Sequence, residues 1–86
     1  MNEFMGLFKK HDGKIARAFQ RIYEHGKEST ESEFLDNLNL IIRAVETDDS
    51  YSTNEKLKIY ELISQLSNCG PGERNKYALK LIRVLK

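Results

Sequence analysis

The 86-residue chain has one cysteine, one proline, no tryptophan and no long apolar run. Each shortage excludes something. The single thiol, Cys69, permits no internal disulfide, and small secreted domains generally depend on such cross-links, so a cytoplasmic setting is expected. No stretch nears the roughly 18 consecutive apolar residues of a membrane span. Signal-peptide order is missing too, because Glu3 comes early and Lys9-Lys10 follow the apolar residues instead of preceding them. Excess charge of one sign is also absent: 14 Lys and Arg oppose 13 Asp and Glu, for a net charge of +1. That balance argues against a general polycation coating nucleic acid. The two histidines, His11 and His25, form no HExxH pair, and one cysteine cannot complete a zinc set, so no metal or other cofactor is expected.

What is present is a globular composition, 40% apolar and 31% charged, of a size for one domain over residues 1–86. The periodicity is helical almost throughout, and no segment alternates with period two for long enough to form a sheet. Phe4, Phe8, Ile15, Phe19 and Ile22 share a face, which predicts helices over 2–10 and 13–25, or one continuous helix. Gly6 and Gly13 weaken the continuous version, and Asp12 offers an N-cap for a restart. Gly26 suits the end of that helix.

Thr30-Glu31-Ser32-Glu33 is a capping box before Phe34, predicting a helix over 31–47 with Phe34, Leu35, Leu38, Ile41, Ile42 and Val45 inward. Ser52-Thr53-Asn54-Glu55 repeats the signature and opens a helix over 53–68, with Ile59, Leu62, Ile63 and Leu66 as its stripe. Gly70 followed by Pro71 reads as a left-handed cap and a stop. The last helix is predicted over 73–86, burying Tyr77, Ala78, Leu81, Val84 and Leu85. Short connections between amphipathic helices predict an all-α fold, a small antiparallel helical bundle of three to four helices.

Sites for chemistry are scarce. The acidic turn from Asp48 to Ser52 resembles a calcium loop in position only, with Thr53 where the loop needs glycine and Ile59 where it needs glutamate. A solvated turn is the expectation there. Gly70-Pro71-Gly72 lacks the strand and the Gly-Lys-Ser/Thr of a phosphate loop. Cys69 lies near Arg74 but far in sequence from either histidine, the bases a nucleophile would need. A non-enzymatic protein is expected.

The balanced total conceals segregation. Residues 1–30 carry +2, residues 31–55 carry −6 and residues 56–86 carry +5. Opposed charges on adjacent helices would account for this internally. Lys76, Lys80, Arg83 and Lys86 form a basic stripe on the last helix, opposite its core face. Leu40, Leu57 and Leu79 fall outside the apolar faces of their helices. Leu40, Leu79, Lys76, Lys80, Arg83 and Lys86 are therefore the candidate partner-binding residues.

The expected function is a small non-enzymatic protein–protein interaction module. It would act stoichiometrically as a regulator, inhibitor or immunity-type protein, with another protein or a second copy as partner. The alternative is a small DNA-binding regulator, with residues 74–86 as the second helix of a helix-turn-helix-like arrangement. Leu79 and Ile82 widen the apolar arc of that helix, which ranks nucleic acid below protein.

Overall fold

A computed structural model describes residues 11, 13–26 and 28–86. The expected helix over 2–10, its apolar residues and the Asp12 cap lie outside the described residues.

Four α-helices follow one another without a strand among the described residues: α1 Lys14–His25, α2 Glu31–Glu46, α3 Thr53–Asn68 and α4 Arg74–Leu85. A 3₁₀ turn, Pro71–Glu73, leads into α4. Each helix packs on its two neighbours in a closed ring, α1 on α2, α2 on α3, α3 on α4 and α4 on α1.

Contacts at the two ends establish the antiparallel order. Tyr51, between α2 and α3, donates its hydroxyl to the Leu85 carbonyl oxygen at the end of α4, at 2.6 Å. His11, just ahead of α1, reaches Ser50 and Glu55 at the same end. At the opposite end, the Arg74 guanidinium at the start of α4 bonds Glu31 at the start of α2. The chain is an up-down-up-down bundle.

Both capping boxes form. Glu33 N–H donates to Thr30 Oγ1 and Thr30 N–H to Glu33 Oε1, at 3.1 and 2.9 Å. Ser52 and Glu55 repeat the pair at 3.1 and 2.8 Å. The inward residues follow the helical period. Phe34, Leu38, Ile41 and Val45 from α2 meet Ile59, Leu62, Ile63 and Leu66 from α3 and Ala78, Leu81 and Leu85 from α4. Phe19 and Ala16 of α1 complete that core, while Ile15, Ile22, Leu35, Ile42, Tyr77 and Val84 are half-buried against it.

Two expectations, about Gly70 and the acidic turn, are corrected, and the choice left open at Gly13 is decided. Gly13 is not inside a helix. It is the N-cap of α1 at φ 80°, a left-handed conformation that glycine adopts without a Cβ clash, so α1 starts after it and is not continuous through it. Gly70 does not take the left-handed cap: Cys69 ends α3 in extended backbone, and Gly13 is the positive-φ glycine among the described residues. The Asp48–Ser52 turn is not simply solvated, since Tyr51 within it is a core residue. Gly26 does end α1, but at φ −60°, so its value is space. A Cβ there would stand 2.9 Å from Phe34 Cδ1 and 3.2 Å from the Ile22 carbonyl oxygen.

Candidate functional site

Every candidate residue named from the sequence lies on the outside of the bundle. Leu40 on α2, Leu57 on α3 and Leu79 on α4 are 58%, 60% and 52% exposed. Lys76, Lys80, Arg83 and Lys86 are exposed as well. Their helix buries Ala78, Leu81 and Leu85, and the 3.6-residue period turns the cations away from that face. Lys76 and Lys80 bracket the Tyr77 ring, with their Nζ atoms 5.5 and 5.8 Å from its centroid. The fold does not gather all six candidates: α2 and α4 lie across the ring from each other, so Leu40 and Leu79 belong to different surfaces.

The acidic and basic segments lie partly on adjacent helices, α2 and α3, but basic α4 lies across the ring from α2. One side-chain ion pair joins them among the described residues. A single Arg74 guanidinium nitrogen donates to Glu31 Oε1 at 2.7 Å and Oε2 at 2.6 Å, and the same group lies 4.8 Å over the Phe34 ring. This hydrogen bond lowers the Glu31 pKa below the usual carboxylate range and raises that of Arg74.

Three other acids serve local backbone. Glu33 and Glu55 close the capping boxes. Asp48 Oδ1 accepts from the Ser50 hydroxyl at 2.7 Å and the Ser50 amide at 2.9 Å, and these two bonds lower its pKa. Lys56 donates to the Glu46 carbonyl at the end of α2, and Lys58 pairs with Glu61. Lys76, Lys80, Arg83 and Lys86, on the outer face of α4, make no ion pair among the described residues.

Tertiary packing adds to this face. α1, whose outer residues include Lys14, Arg17 and Arg21, is a neighbour of α4. The three recur at i, i+3 and i+7, a stripe visible in the sequence, but only packing makes its helix a neighbour of α4. Across the ring, α2 carries Glu31, Glu33, Asp36 and Glu46 against Arg43. The bundle is electrically two-sided, with α1 and α4 positive and α2 negative.

The opposite junction is neutral. A groove of about 330 Å³ between α2 and α3 is lined by Leu35, Ile42, Tyr60, Asn39, Ser64 and Ser67 among others, none of them charged. Burial raises the Tyr60 hydroxyl pKa, and nearby Glu46 adds to the shift.

His11, given no role from the sequence, is buried and central to one end of the bundle. Its ring stacks on Tyr51 with centroids 3.7 Å apart. Nδ1 lies 2.9 Å from Ser50 Oγ, and Nε2 lies 3.3 Å from Glu55 Oε2. The Glu55 pKa is lowered, first by the Ser52 amide and then by His11. Serine, histidine and glutamate are the residue types of an activated nucleophile, but the Ser50 hydroxyl is directed to Asp48 and the imidazole side chain is 3% exposed. The cluster fastens the segment ahead of α1 to the α2–α3 turn. Cys69 is a half-buried free thiol that donates to the Leu66 carbonyl oxygen. His25 sits exposed in the last turn of α1. Among the described residues, no three His, Cys, Asp or Glu side chains converge as metal ligands, and no helix is long and apolar enough to cross a membrane.

These features define the class: a small all-α bundle with one strongly basic two-helix side. No family model, curated protein or solved structure matches the chain.

Proposed function

We propose that the protein is a non-enzymatic interaction module that binds an acidic surface of another protein stoichiometrically, as a regulator, inhibitor or immunity-type protein. The observation that carries this reading is the outer face of α4, where four cations without ion-pair partners among the described residues surround the exposed Leu79. Unpaired cations steer association with an opposite charge, and an exposed leucine among them supplies desolvation that charge alone does not. The interaction belongs in the cytoplasm, where the free Cys69 thiol persists.

Immobilised protein tests this. Wild type is expected to retain a partner from the native cell that Leu79→Glu and Lys80→Glu/Arg83→Glu release, with helical circular dichroism unchanged in both variants. Equal retention by all three would defeat the proposal.

The second reading is duplex DNA binding, favoured by the Lys14, Arg17 and Arg21 stripe beside α4. It has a structural cost. Arg74 is committed to Glu31 and Phe34, and Asn75 accepts from the Tyr23 hydroxyl at 3.4 Å, so two residues at the leading end of a recognition helix are engaged within the bundle. Failure to shift duplex DNA even at about 50 mM salt, where phosphate contacts are strongest, would end that reading.

A further inference from the structure

We infer that the seam between α1 and α4 is a docking groove whose occupant is an acidic amphipathic helix of the partner protein, an inference that rests on the interaction-module reading above. Asn75, Leu79, Ile82 and Lys86 recur at i, i+4, i+7 and i+11, so they share one side of α4. The bond from Tyr23 to Asn75 turns that side toward α1. Along it Leu79 is exposed, while Ile82 and Tyr23 are half-buried. An incompletely covered apolar strip therefore runs where two helices meet, the shape into which a third helix sets its ridges.

Exposed cations stand on both helices: Arg17 and Arg21 on α1, and Lys76, Lys80 and Arg83 on α4. Among the described residues, none of the five makes an ion pair. Glu24 on α1 and Glu73 just before α4 are the acids nearby, both toward the Asn75 end. A helix with leucine at i, i+3, i+4 and i+7 and glutamate on both flanks matches the strip and its borders together. Duplex DNA would match the cations but would lay phosphates against Leu79. Both α1 and α4 have 12 residues, enough to support about three turns of such a guest.

The test uses a synthetic helical peptide of about 18 residues with that leucine stripe and glutamate flanks, and a scrambled peptide of equal composition without the stripe. Each is titrated into the full chain and followed by amide chemical shifts. The expected result is saturable binding of the striped peptide, weakened by salt, with shifts centred on Arg17, Tyr23, Leu79 and Ile82. Leu79→Glu should weaken it about tenfold or more, as for a central anchor. Lys80→Glu/Arg83→Glu should weaken it too, and Leu57→Glu, an equally exposed leucine on α3, should leave it unchanged. Equal binding of the scrambled peptide would overturn the inference, as would shifts confined to the α2–α3 groove or displacement of the peptide by duplex DNA at matched charge. A partner retained through α4 with no striped-peptide binding would remove the docking groove and leave the interaction module standing. Loss of α4-dependent retention would remove both.

Discussion

The two ends of the bundle are closed by different physics. At the end where α2 turns into α3, closure is polar and aromatic: His11 stacks on Tyr51, Tyr51 holds the last carbonyl of α4, and Ser50 and Glu55 hold the imidazole. At the other end it is steric and ionic: Gly26 lets Phe34 approach the end of α1, and Arg74 covers the same ring while pairing with Glu31. The first end depends on buried hydrogen bonds spanning 34 to 44 residues, the second on a missing methyl group together with one exposed ion pair spanning 43. Closure of a small bundle needs no single chemistry, provided the buried groups find partners.

Substitutions can break this contrast. Tyr51→Ala should have the largest effect, about 3–5 kcal/mol, because it deletes a core aromatic and frees the Leu85 carbonyl. For a domain whose total stability is about 5–15 kcal/mol, that approaches unfolding at ambient temperature, and urea melts followed by circular dichroism would measure it. Gly26→Ala should cost about 1–3 kcal/mol by overpacking against Phe34, where nearby backbone also blocks retreat.

Acid should weaken both ends through their carboxylates. Glu31 at one end, and Asp48 and Glu55 at the other, have pKa values lowered in the folded state by hydrogen bonds. The unfolded chain therefore takes up these protons first as the pH falls. Their contribution is fully present above about pH 4–5 and is lost as the pH falls through the lowered folded values. Urea midpoints measured from pH 7 down to pH 2 should drop in that acid window. Glu55→Gln should flatten part of the fall, and an unchanged profile would show that its bonds do not favour the ionised form. The smallest effect sharpens the steric side. Gly72→Ala, where a Cβ meets nothing within 4 Å and φ is not positive, should be neutral or stabilise by up to about 1 kcal/mol. A loss comparable to that of Gly26→Ala would deny that Gly26 is special.

Legibility in the sequence followed the range of the forces. The capping boxes at Thr30 and Ser52 and the inward stripes of α2, α3 and α4 are local, set by neighbours three or four residues apart, and all were readable. Exposure of Leu40, Leu57 and Leu79 followed from the same period. Tyr51 was not readable: it stands in a polar turn, and only the end of α4 above it makes that position interior. His11 was equally opaque, since its partners lie about forty residues away.

The charges divide in the same manner. The linear order states that the middle is acidic and the end basic, and helical spacing places Lys76, Lys80, Arg83 and Lys86 on one stripe. Adjacency is another matter. Opposite signs were expected to meet on neighbouring helices, and α1 came to lie between acidic α2 and basic α4, so one neighbour has the opposite sign and the other the same, while Glu33, Asp48 and Glu55 turned to caps and turns. Local hydrogen bonds and the helical period are complete within a few residues, so the amino-acid order alone sets them. Which helix becomes a neighbour depends on how the apolar faces pack into one core, and that decision set two basic helices side by side.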